Sequence, residues 1–347
     1  IRAYMEFVII STIKIVLVLF VGVLPLVAYL VYAERRISAF IQNRIGPNRV
    51  GWWGLMQSPA DVLKLFIKED IVPVKANKFI HSLAPVISIT VALVTIAVVP
   101  FGNTIELFGR QIKLMIADVN IGVLYILALT SLGVYGITLS GWSSNNKYSL
   151  LGGLRSSAQM ISYELSMGLS IIGVIMIAGT LQLDKIVESQ AHALWYIWRT
   201  PIGFITFLVA SFAETNRLPF DLPEAEPELV GGYHTEYSGM KFGAFFLAEY
   251  ANMITSSALI VTLFLGGWQL PGLHTLGLSP LWESILQVLT FMIKVGGMLF
   301  FYIWIRWTIP RFRYDQLMNL GWKVMLPLAL LNLFVTGVLH FAFPSIW

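Results

Sequence analysis

The sequence predicts an all-α polytopic membrane protein, and three observations lead to that fold class. Hydrophobic residues make up 57% of the 347 positions, and the mean hydropathy is +0.75. Charged residues account for only 12%, about half of the roughly 25% that is usual in soluble domains. Several apolar runs approach the length of a membrane-spanning helix, and they lack the alternation that spanning strands require. We therefore expect one integral membrane domain over residues 1–347.

Eight apolar segments are predicted to span the membrane. They are residues 8–32, 79–100, 117–140, 156–178, 201–216, 242–266, 282–305 and 322–341. The first is too long for the hydrophobic region of a signal peptide, so it is counted as a span. The fifth is the shortest. It is retained because omitting it would move Arg306, Arg311 and Arg313 to the side that otherwise carries few basic residues.

The basic residues between these spans are unequally distributed. Sixteen lysines and arginines lie in the odd-numbered connections, against five in the N-terminus and the even-numbered connections. The positive-inside rule therefore places the odd connections on the cytoplasmic side and both termini on the periplasmic side. Because the odd connections are also long and charged, we expect the chemistry or the partner surface there, which we call the inner side.

The first inner connection contains a short amphipathic helix. Ser58 followed by Pro59 is typical of a helix start, with serine as the N-cap and proline at the first helical position. In a helix over Pro59–Lys68, Asp61 and Lys64 share a polar face. The segment is too short to span a bilayer, so we expect it at the membrane interface.

Glu34 stands beside Arg35 at the end of the first span, at the beginning of a run that continues to Gly51. One interpretation is a basic anchor for anionic lipid headgroups. A lipid anchor gains nothing from the carboxylate, whereas a polar cavity at the membrane surface can use both charges.

Two carboxylates, Glu164 and Glu249, fall inside predicted spans. A charged side chain at that depth costs at least ~2.5–3.5 kcal/mol on insertion scales. It requires a hydrated cavity, a partner, or a pKa raised enough to keep the carboxyl protonated. Both residues are therefore candidate proton carriers, although a purely structural role remains the alternative.

Residues 214–249 form what we call the acidic segment. Six carboxylates lie in its first part: Glu214, Asp221, Glu224, Glu226, Glu228 and Glu236. Arg217 is the local counter-charge, and three prolines prevent one continuous helix. The plain interpretation is a solvated acidic surface, but interleaved apolar residues favour a loop packed into protein. The carboxylates two apart are expected to titrate as a coupled set.

Several kinds of site are not predicted. The chain has no cysteine, so it cannot bind an iron–sulfur cluster through thiolates or form a disulfide. The histidines show no metal-ligand spacing beyond a weak pair, His234 with Glu236. There is no nucleotide-binding motif and no strong internal repeat. We therefore expect no cofactor or metal bound by this chain itself.

Long motifs along the chain resemble those of one family. They are ERR with QNRIGPNRVG, ADVLKLFIKED, GWSSNNKYSLLGGLRSSAQMISYEL, AETNRLPFDLPEAEPELVGGYHTEYSG, FFLAEYAN and RFRYDQLMNLGWK. Together they resemble the quinone-site membrane subunit of respiratory complex I, the proton-translocating NADH-quinone oxidoreductase. The resemblance covers essentially the whole chain.

The resemblance implies a site and partners. The subunit would form much of the quinone chamber, with the flavin and iron–sulfur clusters in partner subunits and antiporter-like subunits beside it in the membrane. Quinone-binding residues would be Glu34, Arg35, Arg44, Asp61, Lys64, Arg217, Asp221, Glu224, Glu226 and Glu228. A proton path would comprise Glu164, Glu214, Glu236 and Glu249. The implied location is a bacterial inner membrane, with the mitochondrial inner membrane or the thylakoid as the alternative.

Two other function classes remain open at this point. An ion-coupled secondary transporter would use the same acidic residues but would work alone in liposomes. A structural membrane anchor would tolerate glutamine at those positions. The related membrane subunit of group 4 hydrogenases is a further alternative, although chain length and motifs favour the quinone enzyme.

Overall fold

The computed structural model describes residues 2–107, 110–191, 194–222, 226–271 and 279–343. In that part of the chain, seven helices are long and apolar enough to cross a membrane. They are Val8–Ile41, Lys78–Val98, Gly122–Ser143, Lys147–Ala178, Gly239–Phe264, Pro280–Thr308 and Tyr314–Ala342. The all-α membrane class is thus confirmed. The count of eight spans stays a prediction, because the fifth predicted span coincides with a shorter apolar helix, Pro201–Glu214.

The α-helices are numbered here in chain order. They are α1 Arg2–Val16, α2 Leu24–Ile41, α3 Gln57–Ile67, α4 Lys78–Thr95, α5 Gly122–Ser143, α6 Lys147–Ala178, α7 Leu183–Ser189, α8 Tyr196–Arg199, α9 Pro201–Glu214, α10 Glu226–Leu229, α11 Gly239–Phe264, α12 Pro280–Thr308, α13 Tyr314–Asn319 and α14 Leu326–Ala342. Two π-helical stretches, Leu17–Val23 and Leu320–Met325, join α1 to α2 and α13 to α14. The described residues also include short 3-10 turns, irregular connections and one hairpin.

Helix α11 is the centre of the bundle. Its most apolar stretch is 72% buried inside the protein, a larger share than in any of the other six long helices, and it packs against α2, α4, α9 and α12. Helix α6 contacts α5, α9 and α14. Glycines permit the close approach of α5 and α6: a Cβ at Gly141 would lie 2.5 Å from the carbonyl oxygen of Ser149. The functional side chains described below lie where α2, α9, α11 and α12 meet.

A two-stranded antiparallel hairpin joins α4 to α5, and the sequence analysis did not predict it. Its strands are β1 Thr104–Leu107 and β2 Arg110–Lys113. The hairpin is held against α12, since the Ser284 hydroxyl donates to the carbonyl oxygen of Thr104 at 2.8 Å. It is too short to span a membrane, so it leaves the fold class unchanged.

The amphipathic helix is present as α3, but its predicted start is wrong. The helix begins at Gln57, and Ser58 lies inside it instead of capping it. The Ser58 hydroxyl donates to the carbonyl oxygen of Ala28 in α2 at 2.7 Å. The side chain that the N-cap preference of serine assigned to the helix start therefore makes a tertiary hydrogen bond instead. Leu63 and Phe66 are exposed on α3, as expected of a helix at a membrane interface.

Candidate functional site

Glu34 lies at the centre of a buried cluster of charged groups. It is 5% exposed and sits near the C-terminal end of α2. Its carboxylate accepts hydrogen bonds from Arg217 at 3.3 Å, from the Tyr250 hydroxyl at 2.7 Å, and from Arg306. These donors come from the turn after α9, from α11 and from α12, so Glu34 joins four elements. A buried carboxylate requires such partners, because burial without them would force it to become neutral.

Arg217 is shared between two carboxylates. Its Nη1 lies 3.3 Å from Glu34 Oε2 and its Nε lies 2.6 Å from Glu249 Oε1. Its guanidinium carbon also lies 4.2 Å from the centre of the Tyr250 ring, within the range of a cation–π contact. Burial lowers the pKa of Arg217, but Glu249, Tyr250 and Glu34 outweigh that effect and raise the pKa above its ordinary value. The arginine is therefore permanently charged, and only its partners can change protonation.

The sequence analysis predicted Arg217 as the counter-charge of the acidic segment, but Asp221 and Glu228 have other partners. Asp221 pairs with Arg311 at 2.8 Å, and Glu228 pairs with Arg155 at 2.6 Å. Both arginines are remote in sequence and reach the segment from α6 and from the connection after α12. The local prediction was wrong because folding brings these cations to the segment and leaves Arg217 to face α2 and α11.

Asp221 is a buried acid with an incomplete set of partners. It is 5% exposed, one oxygen contacts Arg311, and Oδ1 has no hydrogen-bond partner in the described part of the chain. Burial raises its pKa to about 6, against the opposing attraction of Arg311, and the nearby Glu249 raises it further. Asp221 can therefore change protonation close to neutral pH.

The other acids of the segment fall into two groups. Glu236 accepts a hydrogen bond from the Asn146 side chain at 2.6 Å, and the Glu228 side chain is 59% exposed. Glu224 lies outside the described residues, as does the side chain of Glu226 at the start of α10. The coupled titration of Glu224, Glu226 and Glu228 stays a prediction.

The turn that carries Arg217 is fixed from α6. The Gln159 side chain donates to the carbonyl oxygens of Ala213 and Phe220, both at 2.7 Å. It thereby ties together the two ends of the stretch in which Arg217 lies. Asn216 within that stretch has φ of +52°, a left-handed conformation that asparagine tolerates better than most residues. Gln159 was not singled out from the sequence, where it is one polar residue in a polar run.

Glu214 and Glu164 face the same turn of α5. Glu214, the last residue of α9, hydrogen-bonds Thr130, and Glu164 in α6 accepts a hydrogen bond from Ser131. Thr130 and Ser131 are consecutive, so the structure brings two of the predicted path residues to one place. Each is satisfied by a hydroxyl group, which can donate a hydrogen bond and accept one in turn.

Two cavities lie beside Glu214, and one of them also reaches Glu249. The first is lined by Glu249, Asn252, Asn216, Thr130 and Glu214, among others. The second shares Glu214, Thr130 and Asn252 with the first and continues along α11 past Thr255 and Ser256. Each has room for a small number of water molecules beside polar groups that can bind them. Glu236 is not among the lining residues, and of the four predicted path residues Glu249 and Glu214 are the two that share a cavity.

The predicted quinone residues on α2 and α3 form a separate, exposed group. Arg35 donates to Asp61 at 2.5 Å, and Asp61 also accepts from Gln57 at 2.9 Å. Lys64 is exposed on α3, and Arg44 is exposed with hydrogen bonds to Gln42 and Ser38. Glu34 and its neighbour Arg35 therefore point in different directions: Glu34 lies in the buried cluster and Arg35 contacts the interfacial helix.

Sequence reasoning missed Tyr250 and the role of Arg306. Tyr250 directly follows Glu249 in the FFLAEYAN motif, where an aromatic residue in a span is unremarkable by composition. Arg306 was counted only as a positive charge that sets orientation. Adjacency to a carboxylate inside a span was the available signal for Tyr250, whereas no local pattern identifies the partner of Arg306.

In the described ranges, no group of three or more His, Asp or Glu side chains is placed to hold a metal ion. His234 is enclosed by the rings of Tyr233, Phe242 and Phe246. Burial lowers its pKa to about 4, so it is neutral at physiological pH and surrounded by aromatic groups. These surroundings do not favour the weak His234 and Glu236 ligand pair.

Comparison with known proteins assigns the family. A family model described as NADH dehydrogenase matches residues 13–337. The chain is 56% identical over 340 residues to an NADH-quinone oxidoreductase subunit from Geobacter sulfurreducens, with 95% of this chain and 94% of the relative covered. It is 52% identical over 332 residues to a subunit of the same enzyme from Cytophaga hutchinsonii, with 96% and 97% covered. It is 56% identical over 319 residues to NADH-quinone oxidoreductase subunit 8 of Rhodothermus marinus, with 89% and 91% covered. The chain therefore belongs to the NADH dehydrogenase family of membrane proteins.

Proposed function

We propose that this chain is the membrane subunit of an NADH-quinone oxidoreductase that forms part of the quinone chamber and couples quinone reduction to proton pumping. The names of its relatives support the reaction, and the long helices support the membrane location. The observation that carries the coupling role is Arg217, one buried guanidinium shared by Glu34 and Glu249. Such an arrangement responds as a unit when the charge near either carboxylate changes.

The chamber side of the mechanism begins at the exposed group. Quinone reduction to quinol takes up two electrons, which partner subunits supply, and two protons. Arg35, Asp61, Lys64 and Arg44 would line the chamber or its entrance on α2, α3 and the loop between them. Glu34 directly precedes Arg35 on α2, so a change of charge in the chamber changes the electrostatic potential at Glu34. This electrostatic effect is strong because Glu34 lies in a region of low dielectric constant.

The second step passes from Glu34 to Glu249. When the negative charge on or around Glu34 decreases, Arg217 is drawn more strongly to Glu249. An increase of that negative charge draws Arg217 toward Glu34. Tyr250 donates a hydrogen bond to Glu34, and its ring lies beneath the Arg217 guanidinium. It therefore couples the positions of the two groups. Asp221, whose pKa of about 6 allows it to take up a proton near neutral pH, adjusts the charge of the same cluster from the acidic segment.

The third step is proton transfer inside the bundle. Water in the two cavities would connect Glu249 to Glu214 by way of Asn252 and Thr130. From Glu214 the route continues to Glu164, since Thr130 and Ser131 hold the two acids at adjacent residues of α5. We place the exit from Glu164 toward the neighbouring antiporter-like membrane subunits. Glu236 would serve the loop end of the path.

The partners and location follow from the same proposal. The chain would bind quinone as a substrate, with flavin and iron–sulfur clusters held by other subunits of the complex. The apolar residues exposed between α2 and α3 would provide a surface for the water-soluble partner subunits. We propose a bacterial inner membrane with both termini on the periplasmic side, in agreement with the bacterial sources of the relatives.

The path is tested by Glu164→Gln in the assembled complex. Glutamine keeps the size and the hydrogen bond to Ser131 but cannot release a proton. We expect quinone reductase and pumping rates to fall together, by at least tenfold. Unchanged rates in this variant would disprove the role of Glu164.

The chamber is tested by Asp61→Asn and Lys64→Met. These changes should raise the apparent KM for quinone while electron transfer from NADH to a hydrophilic artificial acceptor stays at the wild-type rate. An altered rate with the artificial acceptor would indicate a defect in the partner subunits and would contradict a local role in the chamber.

A further inference from the structure

Lys294 is a charged side chain halfway along a long apolar helix. It is the fifteenth of the 29 residues of α12, which places it about 21 Å from either end at 1.5 Å per residue. A cation buried among apolar helices is costly unless protein groups satisfy its hydrogen bonds. Its three ammonium hydrogens are all used: Nζ donates to the carbonyl oxygens of Leu265, Gly267 and Gln269 at 2.8, 3.0 and 2.8 Å.

Two further features make this a site built for a cation. The three carbonyls belong to residues 265, 267 and 269, which directly follow α11, and the C-terminal end of that helix carries partial negative charge. The ring of Trp195 covers the ammonium from another direction, with Nζ 4.3 Å from the ring centre. All of these partners are neutral. None of these partners neutralises an ammonium group at Lys294, unlike the Glu34 cluster, in which arginines face carboxylates.

The position of this charge relates it to the acidic path. Leu265 follows Glu249 by sixteen residues on α11 and its C-cap, or about 24 Å along the helix axis. The second cavity extends from Glu214 in the same direction and ends among apolar side chains that include Leu259 and Leu263. Leu259 and Leu263 line this end of the cavity, and the buried Thr262 and Gln190, together with the Lys294 site, lie near the C-terminal end of α11.

We propose that Lys294 is an electrostatic barrier that closes the acidic path at the end of the bundle opposite the Glu34 cluster. A proton that has reached Glu214 could continue along α11 only by passing Leu259 and Leu263 toward the ammonium group of Lys294. In surroundings of low dielectric constant the repulsion between the two positive charges is much stronger than in water. Protons are thereby directed sideways toward Glu164 instead of leaking through this chain. The inference rests on the proposed function, since it presupposes that protons reach Glu214.

A structural alternative uses the same contacts. Lys294 could simply cap the C-terminal end of α11 and fix its connection to α12, as lysines near helix C-termini often do. A cap requires the hydrogen bonds and the side-chain volume, whereas a barrier requires the charge. Variants that separate charge from volume distinguish the two.

The experiment measures passive proton conductance. The complete complex is reconstituted into liposomes without NADH or quinone, a potassium diffusion potential is imposed with valinomycin, and internal pH is followed with pyranine. We expect Lys294→Met to increase the proton leak about tenfold and Lys294→Arg to remain near wild type. If Lys294→Met does not assemble, Lys294→Gln, which keeps two donors for the carbonyls and loses the charge, replaces it.

The outcomes separate the hypotheses. A wild-type leak in the uncharged variant would overturn the barrier, and an equal leak in Lys294→Met and Lys294→Arg would assign the effect to packing. Adding Glu214→Gln to Lys294→Met should suppress the leak, because Glu214 supplies the protons. A leak that persists in this double variant would overturn the placement of the barrier on the acidic path. Pumping by Glu164→Gln then tests the path itself independently.

Discussion

Replacement of Arg217 by methionine should expose the energetic role of the shared guanidinium. The Arg217 side chain is 4% exposed and contacts Glu249 at 2.6 Å and Glu34 at 3.3 Å. Removing one partner of a buried ion pair costs ~3–5 kcal/mol, mostly because the remaining charge is left without compensation. Glu34 keeps Arg306 and Tyr250, whereas Glu249 loses the guanidinium 2.6 Å away, so we expect the larger loss at Glu249. We expect the midpoint of thermal inactivation to fall on the order of 5 °C.

A double-mutant cycle identifies the responsible carboxylate. Glu249→Gln removes the carboxylate that has lost its arginine, so the double variant Arg217→Met with Glu249→Gln should be more stable than Arg217→Met alone, by about 1–3 kcal/mol. Thermal inactivation of quinone reductase in the purified complex, read beside tryptophan fluorescence, provides the measurement. Arg155→Met is the matched control, since its partner Glu228 is 59% exposed and the pair should contribute less than about 1 kcal/mol. Strict additivity of the two single variants would refute the shared charge.

Three further changes test neighbouring groups. Tyr250→Phe keeps the ring beneath Arg217 but removes the hydrogen bond to Glu34, so it should lower kcat for quinone reduction severalfold. Tyr250→Leu removes the ring as well and should also destabilise the complex. Equal effects of the two variants would contradict separate roles for ring and hydroxyl. Asp221 has a folded-state pKa of about 6 against an ordinary value of 3.8, so its contribution to stability is fully present below pH 4 and is lost as pH rises through 6. The thermal midpoint of wild type minus that of Asp221→Asn should therefore decrease from pH 4 to pH 7, by the equivalent of up to about 3 kcal/mol, and a pH-independent difference would be incompatible with that pKa. Ser131→Ala should slow pumping with unchanged assembly, because Glu164 loses its hydroxyl partner, and a wild-type pumping rate would exclude the hydroxyl from the route.

Hydropathy and charge distribution predicted most of the fold. The apolar segments coincide with helices because a chain in a bilayer must satisfy its backbone hydrogen bonds within each segment. The start of α3 was predicted incorrectly for a tertiary reason: Ser58 has the chemistry of a cap, but the carbonyl oxygen of Ala28 takes its hydroxyl. The hairpin Thr104–Lys113 was missed because four-residue strands give little periodic signal.

The sequence predicted the charged residues of the site but not which residues pair with each other. Charges inside or next to apolar segments stand out by cost, which identified Glu34, Glu164 and Glu249. Their partners do not, since Arg306 is 272 positions from Glu34 and Arg217 is 183 positions away. Nearest charge in sequence predicted Arg217 with the acidic segment, whereas the fold supplies Arg311 and Arg155 for that purpose. Local sequence patterns identify charged side chains that are costly to bury, and only the three-dimensional arrangement shows which cation compensates each one.

The composition of the buried cluster argues for coupling over stability. Three carboxylates (Glu34, Glu249 and Asp221) face three arginines (Arg217, Arg306 and Arg311), so the cluster is neutral as a whole. Apolar residues of similar volume often stabilise a core as well as or better than buried ion pairs, because desolvation offsets the attraction. Stability alone therefore gives little reason for six charged groups where α2, α9, α11 and α12 meet. A neutral set in which one guanidinium serves two acids can instead accept a proton or a displaced charge at one position and compensate at another. Since Glu34 adjoins the exposed Arg35 and Glu249 lines the internal cavity, that compensation links the surface of the bundle to its interior.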